Sequence, residues 1–110
     1  TGSSVEMPLY AAKLATSARV LNGGPNAGFL RATAPLVIVS ISDEDDCSRE
    51  DNNFTTDASG DPCVAGSLMP VTAYRDYFDL LKGRHDLWSY AVARPAAPAA
   101  PSSRSPPCTW

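Results

Sequence analysis

Several functional classes need features that this sequence lacks. It carries one histidine, and its nine Lys and Arg are outnumbered by twelve Asp and Glu, giving a net charge of −3. A nucleic-acid binder needs a basic stripe against the phosphates, so the charge balance argues against that class. No apolar run approaches the roughly 18–20 residues that span a bilayer. No charged-then-apolar leader opens the chain, so any signal peptide is expected to lie outside these 110 residues. Cys-x-x-Cys pairs, zinc-ligand spacings and phosphate-binding glycine loops are all missing.

What is present suits one small α/β domain. At 44% hydrophobic the chain is rich enough in apolar residues to fold. Ten prolines are many for 110 residues, and half of them fall in the last sixteen. That bias divides the chain into a folded part, 1–94, and a Pro/Ala/Ser-rich linker or tail, 95–110. Three cysteines is an odd number. At least one is therefore free or paired outside the chain.

Met7, Tyr10, Ala11, Leu14, Ala18 and Leu21 recur at helical spacing, and Gly23-Gly24-Pro25 should end that helix. Ser3 or Ser4 can cap its start, Glu6 suits the positive end of its dipole, and Pro8 fits its first turn. Leu36 to Ile41 is an unbroken, mostly β-branched run, which reads as a strand buried on both faces. The sequence then turns acidic, with Asp43, Glu44, Asp45, Asp46, Glu50 and Asp51 holding half of all the acidic residues. A long polar loop from 47 to 70 follows, of a length that is usually functional or pinned. A second helix is expected over about Val71 to Lys82, with Tyr74, Tyr77, Phe78 and Leu81 on one face and Gly83 as its stop. Leu87 to Ala93 reads as a second strand, and alternation puts Trp88 and Tyr90 on one side of it. The order strand–helix–strand is a βαβ unit with parallel strands. Two strands make no stable sheet alone, so the unit reads as part of a larger open sheet.

Ligands of open parallel sheets sit beyond the carboxyl ends of the strands, where Asp43 falls. Carboxylate and hydroxyl oxygens there suit a hard cation, Mg²⁺ or Ca²⁺. The plainer reading makes Glu44, Asp45 and Asp46 solvated loop charges. An EF-hand beginning at Asp43 fails, because its sixth position would be Ser48 instead of Gly and its twelfth Phe54 instead of Glu. His85, in a Gly-Arg-His-Asp turn, reads as a surface residue, and no nucleophile-elbow motif supports it as a catalytic base. Asn53-Phe54-Thr55 matches a glycosylation sequon of low specificity. Acidic neighbours disfavour a reactive thiolate at Cys47. A Cys47–Cys63 disulfide is the expected pairing, closing a loop of roughly 15 residues worth about 3 kcal/mol. It implies an oxidising compartment. Cys108 is left over.

Three stretches together carry a family resemblance. They are Glu6-x-x-Leu9-x-Ala11-Ala12, Gly28-Phe29-Leu30-Arg31 and the run from Leu36 through Asp43-Glu-Asp-Asp-Cys-Ser48. The helix from Val71 to Gly83 and the segment Leu87-Trp-Ser-Tyr-Ala-Val-Ala93 continue it. Residues 1–94 resemble the C-terminal half of a bacterial von Willebrand factor type A domain, of the cysteine-containing exported or lipoprotein type. The resemblance implies a partial three-layer, Rossmann-like sandwich with parallel strands and helices on its faces. It also implies a metal-ion-dependent adhesion site for Mg²⁺ or Ca²⁺, built from three loops. Asp43 matches the aspartate of the third loop, and Asp45 is a weaker ligand candidate beside it. Thr1, Ser3 and Ser4 all stand near the place of the second loop. The first loop, Asp-x-Ser-x-Ser, has no match, and Asp57-x-Ser59-x-Asp61 lacks its final serine and follows no strand.

The expected function is therefore a non-enzymatic protein–protein interaction or adhesion module, cation-assisted through the acidic loop. Its partner would be a protein or a cell-surface ligand, and its location periplasmic, outer-membrane-anchored or extracellular. The alternatives are a metal-free structural module of a larger exported protein and, further off, a hydrolase fragment using His85.

Overall fold

A computed structural model describes residues 5–51, 58, 63 and 68–94 of the chain. Its regular elements are α1 (Pro8–Thr16), β1 (Leu36–Ile41), α2 (Val71–Lys82) and β2 (Trp88–Ala93). Short 3₁₀ turns at Ala18–Val20 and His85–Leu87 follow α1 and precede β2.

β1 and β2 pair in parallel, from Leu36 opposite Trp88 to Ile41 opposite Ala93. With α2 between them in sequence, they form the βαβ unit expected from the apolar pattern. The α2 sequence places Tyr74 and Phe78 four residues apart, hence on one face, and both are fully buried. They form the core with Leu9 of α1 and Leu36 of β1, and Ile38, Leu81, Trp88 and Tyr90 pack around it. The Phe78 ring lies 5.2 Å from that of Trp88 and 5.1 Å from that of Tyr77. Gly83, at φ 72°, ends α2 in the left-handed region that favours glycine. Lys82 extends from the last turn to donate to the carbonyls of Arg31 (2.7 Å) and Ala34 (2.8 Å), which holds the approach to β1 against the end of α2.

Two expectations are corrected. The run from Leu36 to Ile41 is not buried on both faces. Leu36, Ile38 and Ser40 face the helices, while Val37, Val39 and Ile41 are 64%, 60% and 84% exposed. Both helices that contact the core lie on one side of the two strands, so an apolar run that could have served two faces covers only one. Helix α1 is also shorter than its apolar periodicity suggests. Thr16 turns its hydroxyl back to the carbonyls of Ala12 (2.8 Å) and Lys13 (3.2 Å), and Ser17 does the same to Leu14 (2.9 Å). Such back-bonding competes with the helical ladder, and the chain leaves α-geometry at Ser17. Consequently Leu14 and Leu21 are exposed, and Leu9 and Thr16 take the buried positions. Asn26 donates to the freed carbonyl of Ala15 (2.9 Å). Gly24 is required where the chain doubles back, since a Cβ there would lie 2.4 Å from the Arg19 carbonyl oxygen.

Candidate functional site

The candidate site lies beyond the carboxyl ends of the strands, where residues 42–51 leave β1. Ser42 prolongs the ladder by donating its N–H to the Ala93 carbonyl (3.2 Å), and its hydroxyl accepts from the Glu44 N–H (3.1 Å). This serine turn leaves Asp43 exposed at the bend. A notch with room for about one water opens between Ser40, Ser42, Asp45, Asp46, Tyr90 and Arg94. Asp43 does not line it.

The neighbouring carboxylates are drawn into the protein's own structure. Asp45 pairs with Arg94 at 3.1 Å, both half exposed. Asp46 accepts the Leu9 N–H on one oxygen (3.0 Å) and the Ser48 N–H on the other (2.8 Å). The Ser48 hydroxyl accepts the Tyr10 N–H (3.0 Å), and the Cys47 N–H donates to the Glu6 carbonyl (2.8 Å). Residues 46–48 thus cap α1 from almost forty positions away in sequence, in place of a neighbouring cap. A carboxylate is well placed there, facing the positive end of the helix dipole. Glu50 pairs with Lys13 at 2.5 Å, tying the same segment to the middle of α1. The Lys13 ammonium also lies 5.5 Å from the centre of the Tyr77 ring.

Cys47 is buried and bonded to Cys63, with 4.9 Å between their Cα atoms. Beside it the Arg49 side chain, 1% exposed, makes a two-pronged bond to Asp51 (2.8 and 2.7 Å). Asp51 raises the Arg49 pKa above its ordinary value, its hydrogen bond being the largest cause. Burial likewise pushes the Tyr74 hydroxyl well above the usual phenol range, assisted by the charge of Glu50. Burial also raises the Tyr90 phenol, with Ser40 acting the other way.

A second polar cluster sits at the opposite end of the sheet. Asp79 accepts from the Trp88 indole N–H at 2.6 Å, and the same oxygen lies 2.7 Å from His85 Nδ1. These bonds, that of Trp88 first, hold the Asp79 carboxyl below its ordinary range. The His85 side chain is 73% exposed, as the turn reading expects. Six residues of β2 separate it from the acidic segment, about 20 Å at the rise of a strand.

Thr1, Ser3 and Ser4, the sequon at Asn53 and the Asp57–Asp61 stretch lie outside the described residues, as does Cys108. Asp43 and Asp45 are both found near the strand ends, but they are not brought together as ligands, since Asp45 turns to Arg94. Among the described residues no group of three or more His, Cys, Asp or Glu is placed to hold a metal ion. Sequence reasoning passed over Asp46 and Ser48 as caps, because a cap is sought just before a helix. It also missed the exposure of Val37, Val39 and Ile41, for which an unbroken apolar run carries no signal. No helix among the described residues is long and apolar enough to cross a membrane. No family model matches the chain, and no curated protein or solved structure is significantly similar to it.

Proposed function

We propose that this chain is a non-enzymatic interaction module of an exported protein, a partial von Willebrand A-type α/β unit that docks through the open face of its sheet. The observation that carries this reading is the exposure of Val37, Val39 and Ile41, at 60% or more each, on one face of β1. In register beside them on β2 stand the small residues Ser89, Ala91 and Ala93, also exposed. The six positions include no charge. Parallel strands are ordinarily covered on both faces, and contiguous exposed apolar surface marks an interaction site. The partner is a protein with an apolar surface that supplies the second layer. The Cys47–Cys63 disulfide supports an oxidising location, consistent with export.

Val39→Lys tests the reading. On an open face the charge costs no more than about 0.5 kcal/mol, so the melting temperature stays put while binding of a hydrophobic dye falls. A photo-cross-linker at position 39 should give one discrete adduct in the native extract, and the same probe at Arg75, on the exposed side of α2, none. A collapse in stability with Val39→Lys, or equal labelling from the two positions, overturns the proposal.

A cation-assisted form of the same reading rests on the placement of Asp43. It is exposed at the strand end, and no hydrogen bond or ion pair ties its side chain to the other described residues, whereas Asp45 and Asp46 are engaged. In that form Asp43 would present Mg²⁺ or Ca²⁺ to a carboxylate of the partner.

A further inference from the structure

We infer that the Cys47–Cys63 disulfide is a redox lock on α1, whose reduction releases the amino end of that helix while the β1–α2–β2 unit stays folded. The inference starts from what Cys47 holds. It is the central residue of the clamp formed by Asp46, Cys47 and Ser48, which bonds to Glu6, Leu9 and Tyr10. Cys47 is 2% exposed, so the clamp is seated in the protein. The far side of the loop returns at Met69, whose N–H donates to the Ser48 carbonyl at 3.0 Å. The disulfide spans sixteen positions of that excursion. It therefore restricts the chain on the side of the clamp that β1 does not hold.

Arg49 biases the clamp toward opening once that restriction is gone. Its guanidinium is buried, with Asp51 on one edge and no hydrogen bond to Nη1 among the described residues. A buried cationic donor without a full set of partners gains hydration when its segment is freed. Leu9 is the one buried residue of the core cluster that α1 supplies; Leu36, Tyr74 and Phe78, with Trp88 and Tyr90 packed against them, come from β1, α2 and β2, and neither cysteine belongs to the cluster.

The chemistry is thiol–disulfide exchange with a dithiol reductant. A thiolate of the dithiol attacks Cys63 Sγ, which is the more exposed sulfur-bearing residue of the pair, and Cys47 leaves as a thiolate that takes up a proton. The second thiol of the dithiol then displaces Cys63 from the mixed disulfide. The dithiol ends as a disulfide, and the protein gains two electrons and two protons.

Amide hydrogen exchange on the full chain tests this, with Cys108→Ser as background so that the tail thiol takes no part. Treatment with dithiothreitol should speed exchange at the amides of Leu9, Tyr10, Cys47 and Met69 by on the order of a hundredfold, the factor expected for opening a loop of this length. The ladder amides of β1 and β2 should keep their rates, and reoxidation should restore the first set. A chain with Cys47→Ala and Cys63→Ala should show the fast pattern without reductant and no response to it. Equal loss of protection in both sets would make the bridge a global staple, and unchanged rates in both would make it inert. Either result overturns the inference.

Discussion

Removing the Asp46 carboxylate should cost this protein far more than removing the Asp45 carboxylate next to it. In Asp46→Ala the N–H groups of Leu9 and Ser48, both in buried residues, lose their acceptor together. Loss of a helix cap costs about 0.5–2 kcal/mol. A buried donor left without a partner costs about 1–3 kcal/mol. Some water reaches the vacated space, so the two losses overlap, and about 2–3 kcal/mol in total is the working figure. For a domain of this size each kcal/mol moves the melting temperature by roughly 4–8 °C, which gives a fall of about 8–24 °C. Asp45→Ala breaks only a half-exposed ion pair with Arg94, worth about 0–1 kcal/mol. Asp46→Asn keeps an acceptor oxygen and loses the charge, so it should fall between the two. Thermal unfolding followed by far-UV circular dichroism, on oxidised protein at pH 7, compares all three with the parent. Equal losses in Asp45→Ala and Asp46→Ala, or no loss in Asp46→Ala, would refute the remote cap.

The remaining predictions concern acid and cations. The Asp79 carboxyl is held below its ordinary pKa by Trp88 and His85, so its contribution to stability is present above about pH 4 and is lost as pH falls through the lowered value. Urea unfolding at stepped pH should therefore show the parent exceeding Asp79→Asn at pH 6, with the gap closing as pH falls through the lowered value; a gap independent of pH would contradict the assignment. If Asp43 holds a divalent cation, millimolar Mg²⁺ or Ca²⁺ should raise the melting temperature relative to EDTA in the parent and not in Asp43→Ala. Identical scans with and without cation would leave the metal-free form of the interaction module.

The sequence made some elements plain and concealed others for definable reasons. Helix α2 was legible because Tyr74, Tyr77, Phe78 and Leu81 repeat at helical spacing up to Gly83, and the structure keeps Val71–Lys82 as its bounds. β1 was legible as a strand, from Leu36 to Ile41, because a short β-branched run has few other uses. Its orientation was hidden, since six apolar or small residues in a row do not say which three face the helices. The end of α1 was hidden by chemistry that periodicity ignores, namely the hydroxyls of Thr16 and Ser17 taking carbonyls from the helical ladder. The Cys47–Cys63 pairing could be anticipated from spacing, while the roles of Asp46 and Ser48 could not. Those roles depend on where the end of β1 meets the start of α1, which is a property of the tertiary arrangement alone.

The composition around β1 also bears on what the chain does when it is not folded. Leu-Val-Ile-Val-Ser-Ile is uncharged, free of proline and strongly β-forming, which is the profile of a segment that stacks into fibrils. Pro35 stands directly before it, and Asp43, Glu44, Asp45 and Asp46 follow after a single serine. In an in-register stack each of those carboxylates would meet its own copy about every 4.8 Å, so the repulsion grows with every chain added. The residues that close the carboxyl end of β1 in the native protein are thus gatekeepers against its self-assembly during synthesis.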